Sequence, residues 1–73
     1  MHMKKQILID FGNRVRRERM RLGWSQEELA ERAGVHRTYI GMIERAEKNI
    51  TLENIDKIAN ALKIRINNLF KGK

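Results

Sequence analysis

The stretch SQEELAERAGVHRTYIGMIER, residues 25–45, constrains the fold of this chain more than any other part of it. Ser25 precedes an amphipathic run and Glu28 follows three residues later, which is the pattern of a capping box at a helix N-terminus. Gly34 supplies a residue that tolerates a positive φ, as the end of a helix often requires. The stretch therefore predicts two short helices joined by a tight turn.

The small and apolar residues of this stretch fall where two crossing helices need them. Ala30 is small at the expected crossing point, and Val35, Ile40 and Ile43 are apolar where the second helix must pack back against the first. Small, turn and apolar residues at these offsets favour a helix-turn-helix over a simple helical hairpin. The second helix of a helix-turn-helix is the one that enters the major groove of DNA.

Apolar residues recur at helical spacing on both sides of this motif, and no strand-like alternation is sustained. Before the motif, a stripe that also carries Arg19 predicts a first helix, which Gly23 ends. After the motif, Thr51 is placed to cap a fourth helix. The apolar residues of the two stripes are Leu8, Phe11, Val15 and Leu22 in the first helix and Leu52, Ile55, Ile58, Ala59 and Leu62 in the fourth.

The helices of the motif are expected at 26–33 and 37–45, and a short fifth helix is expected at 66–70. The fold prediction is therefore all-α, a compact five-helix bundle that forms a single domain over residues 1–73. A chain of 73 residues suffices for one small domain.

Composition argues against several classes of site. The chain has no cysteine, so it has neither a disulfide nor a thiolate metal site, and His2 and His36 lack the spacing of metal ligands. No serine, histidine and acid set, carboxylate pair or phosphate-binding glycine loop is present, so we do not expect an enzyme. No metal, cofactor or small-molecule ligand is expected. The absence of a long apolar run and of a secretory signal predicts a cytoplasmic protein without a membrane partner.

The net charge of +7 favours a polyanionic partner. Residues 1–24 hold seven basic and two acidic residues, residues 25–49 hold four and five, and residues 50–73 hold five and two. The motif is thus nearly neutral between two positive flanks. This distribution suits a protein whose flanks hold DNA phosphates while one helix touches the bases. Charge alone is equally compatible with a small domain that is merely kept soluble.

One basic residue lies on a stripe that is otherwise apolar. Arg19 falls on the buried side of the first helix, and an unpaired buried charge is very costly. Glu44 lies at the end of the third helix and is the counter-charge that we propose for Arg19. We therefore expect a partly buried ion pair between Arg19 and Glu44 with a structural role.

SQEELAERAGV followed by I-x-x-I-E resembles the Cro/C1-type (XRE-like) helix-turn-helix family, over about residues 11–70. HRTYIGMIER and EKNITLENI are similar to the controller proteins of restriction–modification systems. This resemblance implies a lambda-repressor-like domain that binds a palindromic DNA operator as a homodimer. It also implies a transcription regulator that controls a restriction–modification operon, with RNA polymerase as a further candidate partner.

The resemblance assigns roles to individual residues. The implied base-reading residues are Arg37, Thr38 and Met42, and Arg37 can donate two hydrogen bonds to a guanine. The implied DNA-backbone contacts are Gln26, His36, Tyr39, Arg45, Lys48 and Asn49, and Arg14 is added to them as a candidate from the basic first helix. Each position also has a plainer interpretation: Arg37 and Arg14 as solvated surface residues, Tyr39 as a half-buried packing residue, and Met42 as a rim residue.

The sequence departs from the family pattern at three helix ends. Ala46 and Lys63 stand where glycine is common, and a non-glycine residue in a left-handed cap costs roughly 1 kcal/mol. His36 replaces the usual Asp or Ser before the third helix. We therefore expect that helix to lack a good N-terminal cap.

The segment at about 58–70 is the expected dimerisation segment. Its candidate interface residues are Leu62, Ile66, Leu69 and Phe70, and the alternative is a monomer with a small exposed apolar rim. A two-fold dimer would place two recognition helices about 34 Å apart, so the operator would be a pseudo-palindrome.

Two other functional classes were weighed against the regulator. One is an antitoxin-like module whose main partner is a protein; such modules usually have an additional tail, which this sequence does not show. A phage-type repressor is the alternative within the class of regulators. The second class is a basic amphipathic helix that binds a membrane surface. The first helix uses its apolar face for the core, which disfavours membrane binding.

Overall fold

The computed structural model describes residues 5–65, which form four α-helices and no strand. The helices are α1 (Gln6–Arg21), α2 (Gln26–Ala33), α3 (Arg37–Glu44) and α4 (Leu52–Leu62). The all-α prediction is confirmed, and α3 ends one residue earlier than expected. The predicted fifth helix at 66–70 lies outside the described residues. Within residues 5–65 no helix has both the length and the apolar character needed to cross a membrane.

One hydrophobic core lies where the four helices meet. Its largest fully buried side chains are Phe11, Val15, Leu29, Ile40, Ile58 and Leu62. Leu52 was expected on the buried stripe of α4, but its side chain is 79% exposed. Leu52 is the first residue of α4, and side chains of a helix lean towards its N-terminus, so this side chain extends beyond the edge of the core. The buried stripe of α4 begins at Ile55.

The predicted ends of α2 and the predicted start of α4 are confirmed. The Ser25 hydroxyl accepts a hydrogen bond from the Glu28 N–H at 3.0 Å, and Thr51 caps α4 by accepting from the Asn54 N–H at 3.1 Å. Gly34 closes α2 with a φ of 75°. These local interactions hold α2 and α4 at fixed starting points.

The cap of α3 corrects one expectation. His36 was expected to leave this helix without a good cap, but its Nδ1 accepts a hydrogen bond from the Thr38 N–H at 3.1 Å. A neutral imidazole has one ring nitrogen that can accept. Here that nitrogen takes the place of the Asp or Ser oxygen.

Two non-glycine residues adopt the left-handed conformation, as the departures from the family pattern predicted. Ala46 follows the end of α3 with a φ of 57°, and Lys63 ends α4 with a φ of 61°. Each of these positions carries a conformational cost of about 1 kcal/mol that glycine would avoid.

Gly12 has a role that the sequence analysis missed. A Cβ at this position would overlap the Ile43 carbonyl oxygen and would lie 3.0 Å from that of Glu44. The backbone of α1 therefore approaches the C-terminal end of α3 so closely that only glycine fits. This approach brings Arg19 of α1 within reach of Glu44.

Candidate nucleic-acid interface

The residues of α3 divide into a buried side and an exposed face. Ile40 and Ile43 point into the core. Because successive helical residues are about 100° apart, Thr38, Met42 and Arg45 share the opposite side. Thr38 and Arg45 are exposed and Met42 is half-buried. We call this side the exposed face, the side towards Gln26 the α2 edge, and the side towards Tyr39 the α4 edge.

The α2 edge is held by a polar network centred on Glu44. Arg19 donates to both carboxylate oxygens of Glu44, from Nε at 2.7 Å and from Nη2 at 3.0 Å. Gln26 Nε2 donates to the same carboxylate at 3.1 Å. Arg19 Nη1 also donates to the Trp24 carbonyl oxygen at 2.8 Å. The network joins α1, the loop after it, α2 and α3.

The Arg19–Glu44 ion pair affects the stability of the fold because both side chains are largely removed from solvent. The Arg19 side chain is 12% exposed and that of Glu44 is 4% exposed, which confirms the predicted pair. The hydrogen bonds from Arg19 to Glu44 raise the pKa of Arg19 above its ordinary value, against the effect of burial. Arg19 is therefore charged at any physiological pH. Its guanidinium group binds Glu44 and so fixes the orientation of α3.

Gly41 allows the α2 edge to close. A Cβ at Gly41 would lie 3.1 Å from Arg45 Nη1 and 3.4 Å from Gln26 Oε1. The side chains of Arg45 and Gln26 thus lie close over the backbone of α3 at Gly41. The sequence analysis did not assign Gly41 a role, because a glycine inside a short helix has no local pattern that marks such a contact.

An open hollow of about 600 Å³ lies between the start of α2 and α3. Its lining includes Gln26, Glu27, Arg37, Thr38 and Arg45. The side chains of Arg37 and Thr38 make no hydrogen bond or ion pair with any other described residue. The hollow thus combines arginine side chains, amide and hydroxyl groups and the N-terminus of α2, all suited to an anionic oxygen.

The α4 edge is built differently. Tyr39 is half-buried and packs against the core, and its hydroxyl accepts a hydrogen bond from Asn54 Nδ2 at 3.0 Å. Asn54 lies in the first turn of α4. This neutral hydrogen bond joins α3 to α4, and the sequence analysis did not identify Asn54.

The other side chains that were predicted to contact the DNA backbone differ in their exposure to solvent. His36, Lys48 and Asn49 are exposed. Arg45 is exposed and pairs with Glu47, with 3.1 Å between Nε and the carboxylate. Arg14 pairs with Glu18 at 3.1 Å, and its side chain is only 20% exposed. Arg14 is therefore less accessible than the exposed His36, Arg45, Lys48 and Asn49.

Glu18 is held by two arginines of its own helix. Desolvation by burial would raise the pKa of this carboxyl, but hydrogen bonds and charges from Arg21 and Arg14 together hold the pKa below its ordinary value. Glu18 therefore keeps its negative charge and neutralises part of the basic α1.

The predicted dimer surface needs one correction. Leu62 is 1% exposed and packs in the core of the protomer, so its side chain is not available to a second copy. The other predicted interface residues, Ile66, Leu69 and Phe70, lie outside the described residues. The part of the expected dimerisation segment that the structure does describe contributes mainly to the core of the monomer.

A short helical bundle with a capped α2, a glycine turn and an exposed face on α3 defines the class of small helix-turn-helix proteins. A family model described as helix-turn-helix matches residues 15–69 of the sequence. The chain belongs to this family, the Cro/C1-type helix-turn-helix proteins.

Three individual proteins show the similarity in detail. The control protein C.BamHI of Bacillus amyloliquefaciens is 44% identical over 64 residues, which are 86% of this chain and 79% of that protein. The crystal structure of the restriction–modification controller C.AhdI from Aeromonas hydrophila matches with a TM-score of 0.84 at 46% identity, over 86% of this chain and 96% of that one. The crystal structure of SinR, the master regulator for biofilm formation, in complex with DNA matches with a TM-score of 0.77 at 33% identity. The match covers 81% of this chain and 95% of that one.

Proposed function

We propose that this protein is a sequence-specific, double-stranded DNA-binding transcription regulator. It acts as a homodimer on a pseudo-palindromic operator and controls a restriction–modification operon. The similarity to C.BamHI and C.AhdI supports the controller role, and the SinR complex supports DNA as the partner. Control of an operon also requires that the bound protein recruit or exclude RNA polymerase at the promoter.

The observation that carries this proposal is the exposure of the side chains at the start of α3 and on its exposed face. The side chains of Arg37 and Thr38 are exposed and have no hydrogen-bond or ion-pair partner among residues 5–65, while the helix that bears them is fixed by the largely buried Arg19–Glu44 pair. A base-reading helix needs this combination, because its side chains must find their partners on DNA while its backbone stays rigid. Arg37, Thr38 and Met42 are the proposed base-reading residues.

The proposed phosphate contacts surround this face. Gln26 lies on the α2 edge and Tyr39 on the α4 edge, which supports a contact from each to one of the two backbones that border a major groove. His36 lies at the start of α3, and Arg45, Lys48 and Asn49 lie at and beyond its end. Arg14 would have to exchange Glu18 for a phosphate, so we assign it the weakest contact.

Selection of random duplex DNA by the purified protein tests the proposal. Sequencing of the bound pool should yield a pseudo-palindrome with half-sites about one helical turn apart. A single enriched half-site would retain DNA reading and remove the dimer. If the pool shows no enrichment and binding depends only on salt, the regulator assignment is wrong. Isolation with a protein partner would then favour an antitoxin-like module.

A further inference from the structure

Asn54 uses its backbone and its side chain for two different connections. Its N–H donates to the Thr51 hydroxyl and so caps α4, while its side-chain Nδ2 donates to the Tyr39 hydroxyl at 3.0 Å. The cap requires only the backbone of Asn54, and any residue other than proline would provide it. The asparagine side chain is therefore not needed for the helix end and is committed to Tyr39.

The direction of this hydrogen bond determines what the Tyr39 hydroxyl can still do. A phenol has one proton to donate and can also accept. Because Tyr39 accepts from Asn54, its own proton remains free, and no acceptor for it exists among the described residues. The hydroxyl is thus fixed as a donor that needs an external acceptor.

The position of Tyr39 indicates which acceptor it meets. Tyr39 lies on the α4 edge of α3, opposite the edge formed by Gln26. A helix in a major groove has a phosphate backbone on each side, and phosphate oxygens only accept. A donor fixed at this edge is therefore complementary to a backbone phosphate.

We propose that Asn54 is a positioning residue for DNA binding, which fixes the Tyr39 hydroxyl as a hydrogen-bond donor to a DNA phosphate. The inference rests on the proposed DNA-binding function and adds a residue from α4 to the interface. Asn54 itself need not touch DNA, because it acts through the phenol.

Two substitutions at this position separate positioning from simple bracing. Asn54→Ala removes the contact with Tyr39. Asn54→Asp keeps a hydrogen bond but reverses it, since a carboxylate only accepts and would consume the Tyr39 proton. An acidic residue in the first turn is also favoured by the helix dipole, so the Asp variant should remain folded. A purely structural brace would thus survive Asn54→Asp, whereas the proposed positioning role would not.

The affinity of each variant is measured on the duplex that wild type selects, with Asn60→Ala and Asn60→Asp as matched controls. Asn60 is exposed on α4, and its side-chain amide donates a hydrogen bond to Asp56 of the same helix. We expect about fivefold weaker binding for Asn54→Ala, on the scale of one hydrogen bond, and a larger loss for Asn54→Asp. In a Tyr39→Phe background the loss from Asn54→Ala should vanish, and that from Asn54→Asp should fall to the loss of the Asn60→Asp control.

Several results would overturn the inference. One is an Asn54→Ala variant that binds as tightly as wild type, and another is an equal loss in the wild-type and Tyr39→Phe backgrounds. A loss that follows reduced thermal stability in circular dichroism would also overturn it. In these cases wild type still selects DNA, so the proposed function stands. If wild type selects no sequence, the proposed function fails and the inference falls with it.

Discussion

On the α2 edge of α3, the Glu44 carboxylate is 4% exposed and accepts three hydrogen bonds, whereas on the α4 edge the half-buried Tyr39 hydroxyl accepts one. The first edge is charged, largely buried at its Arg19–Glu44 pair, and joined to α1 and α2. The second is neutral, partly open to solvent and joined only to α4. The two edges of α3 thus differ in role. The α2 edge fixes the orientation of the helix, and the α4 edge carries the Tyr39 hydroxyl, which we propose is a donor to DNA.

This difference follows from the cost of burial. Once Arg19 and Glu44 are buried, each must keep its partner, because a lone buried charge is far more costly than a lost surface contact. When the Tyr39–Asn54 hydrogen bond forms, it replaces hydrogen bonds that both groups make to water in the unfolded chain. Its net contribution to the free energy of unfolding is therefore modest. We therefore expect the α2 edge to dominate stability and the α4 edge to affect binding more than folding.

Removal of Glu44 should have the largest effect. Glu44→Ala leaves Arg19 buried without its carboxylate and should lower the free energy of unfolding by about 3–5 kcal/mol. The matched control is Glu47→Ala, which breaks the exposed pair with Arg45 and should cost no more than about 1 kcal/mol. Urea unfolding of both variants measures the contrast, and equal losses would show that burial of the pair does not determine its effect.

A smaller effect, of opposite sign, is expected at the end of α4. Lys63→Gly relieves the left-handed conformation and should stabilise the protein by about 1 kcal/mol. Lys57→Gly, which removes the same charge inside α4, should destabilise by about 1 kcal/mol. Thermal unfolding compares the two glycine variants, and two shifts of the same sign would contradict the conformational explanation.

The smallest effect concerns Glu18, whose pKa is held below its ordinary value by Arg21 and Arg14. A carboxyl with a lowered folded-state pKa stabilises the fold above its unfolded-state pKa, and this contribution is lost as the pH falls through the folded-state pKa. Glu18→Gln should therefore reduce the loss of stability on acidification below about pH 5. The control is Glu53→Gln, at an exposed position of α4, and an unchanged acid response in Glu18→Gln would remove this assignment.

The features that could be predicted from the sequence are those with a local pattern or a forced partner. Ser25 and Gly34 mark the ends of α2 through their own backbone chemistry. Arg19 could be paired with Glu44 because a buried charge requires a counter-charge and because the family resemblance implies a salt bridge at these two positions. Sequence reasoning therefore predicted the motif, most of the core stripes and the Arg19–Glu44 pair.

The features that could not be predicted depend on tertiary geometry. The Asn54–Tyr39 bond joins two helices through neutral groups that could each have been solvated. Gly12 is required by an approach of two backbones that only the assembled fold creates, and Leu52 misses the core because α4 begins beyond its edge. At His36, the identity of the residue suggested a poor cap, while the orientation of the ring makes it an adequate one.

The most direct test of the account is the affinity of the Arg37→Ala variant for the selected duplex, with Arg17→Ala as the charge-matched control. Arg17 is exposed on α1, on the side away from the core. Arg37→Ala should lose about 1–3 kcal/mol of binding free energy on the selected duplex and should flatten the preference over altered bases. Arg17→Ala should weaken binding to all duplexes slightly and alike. Equal, sequence-independent losses in the two variants would show that the exposed face of α3 does not read DNA bases.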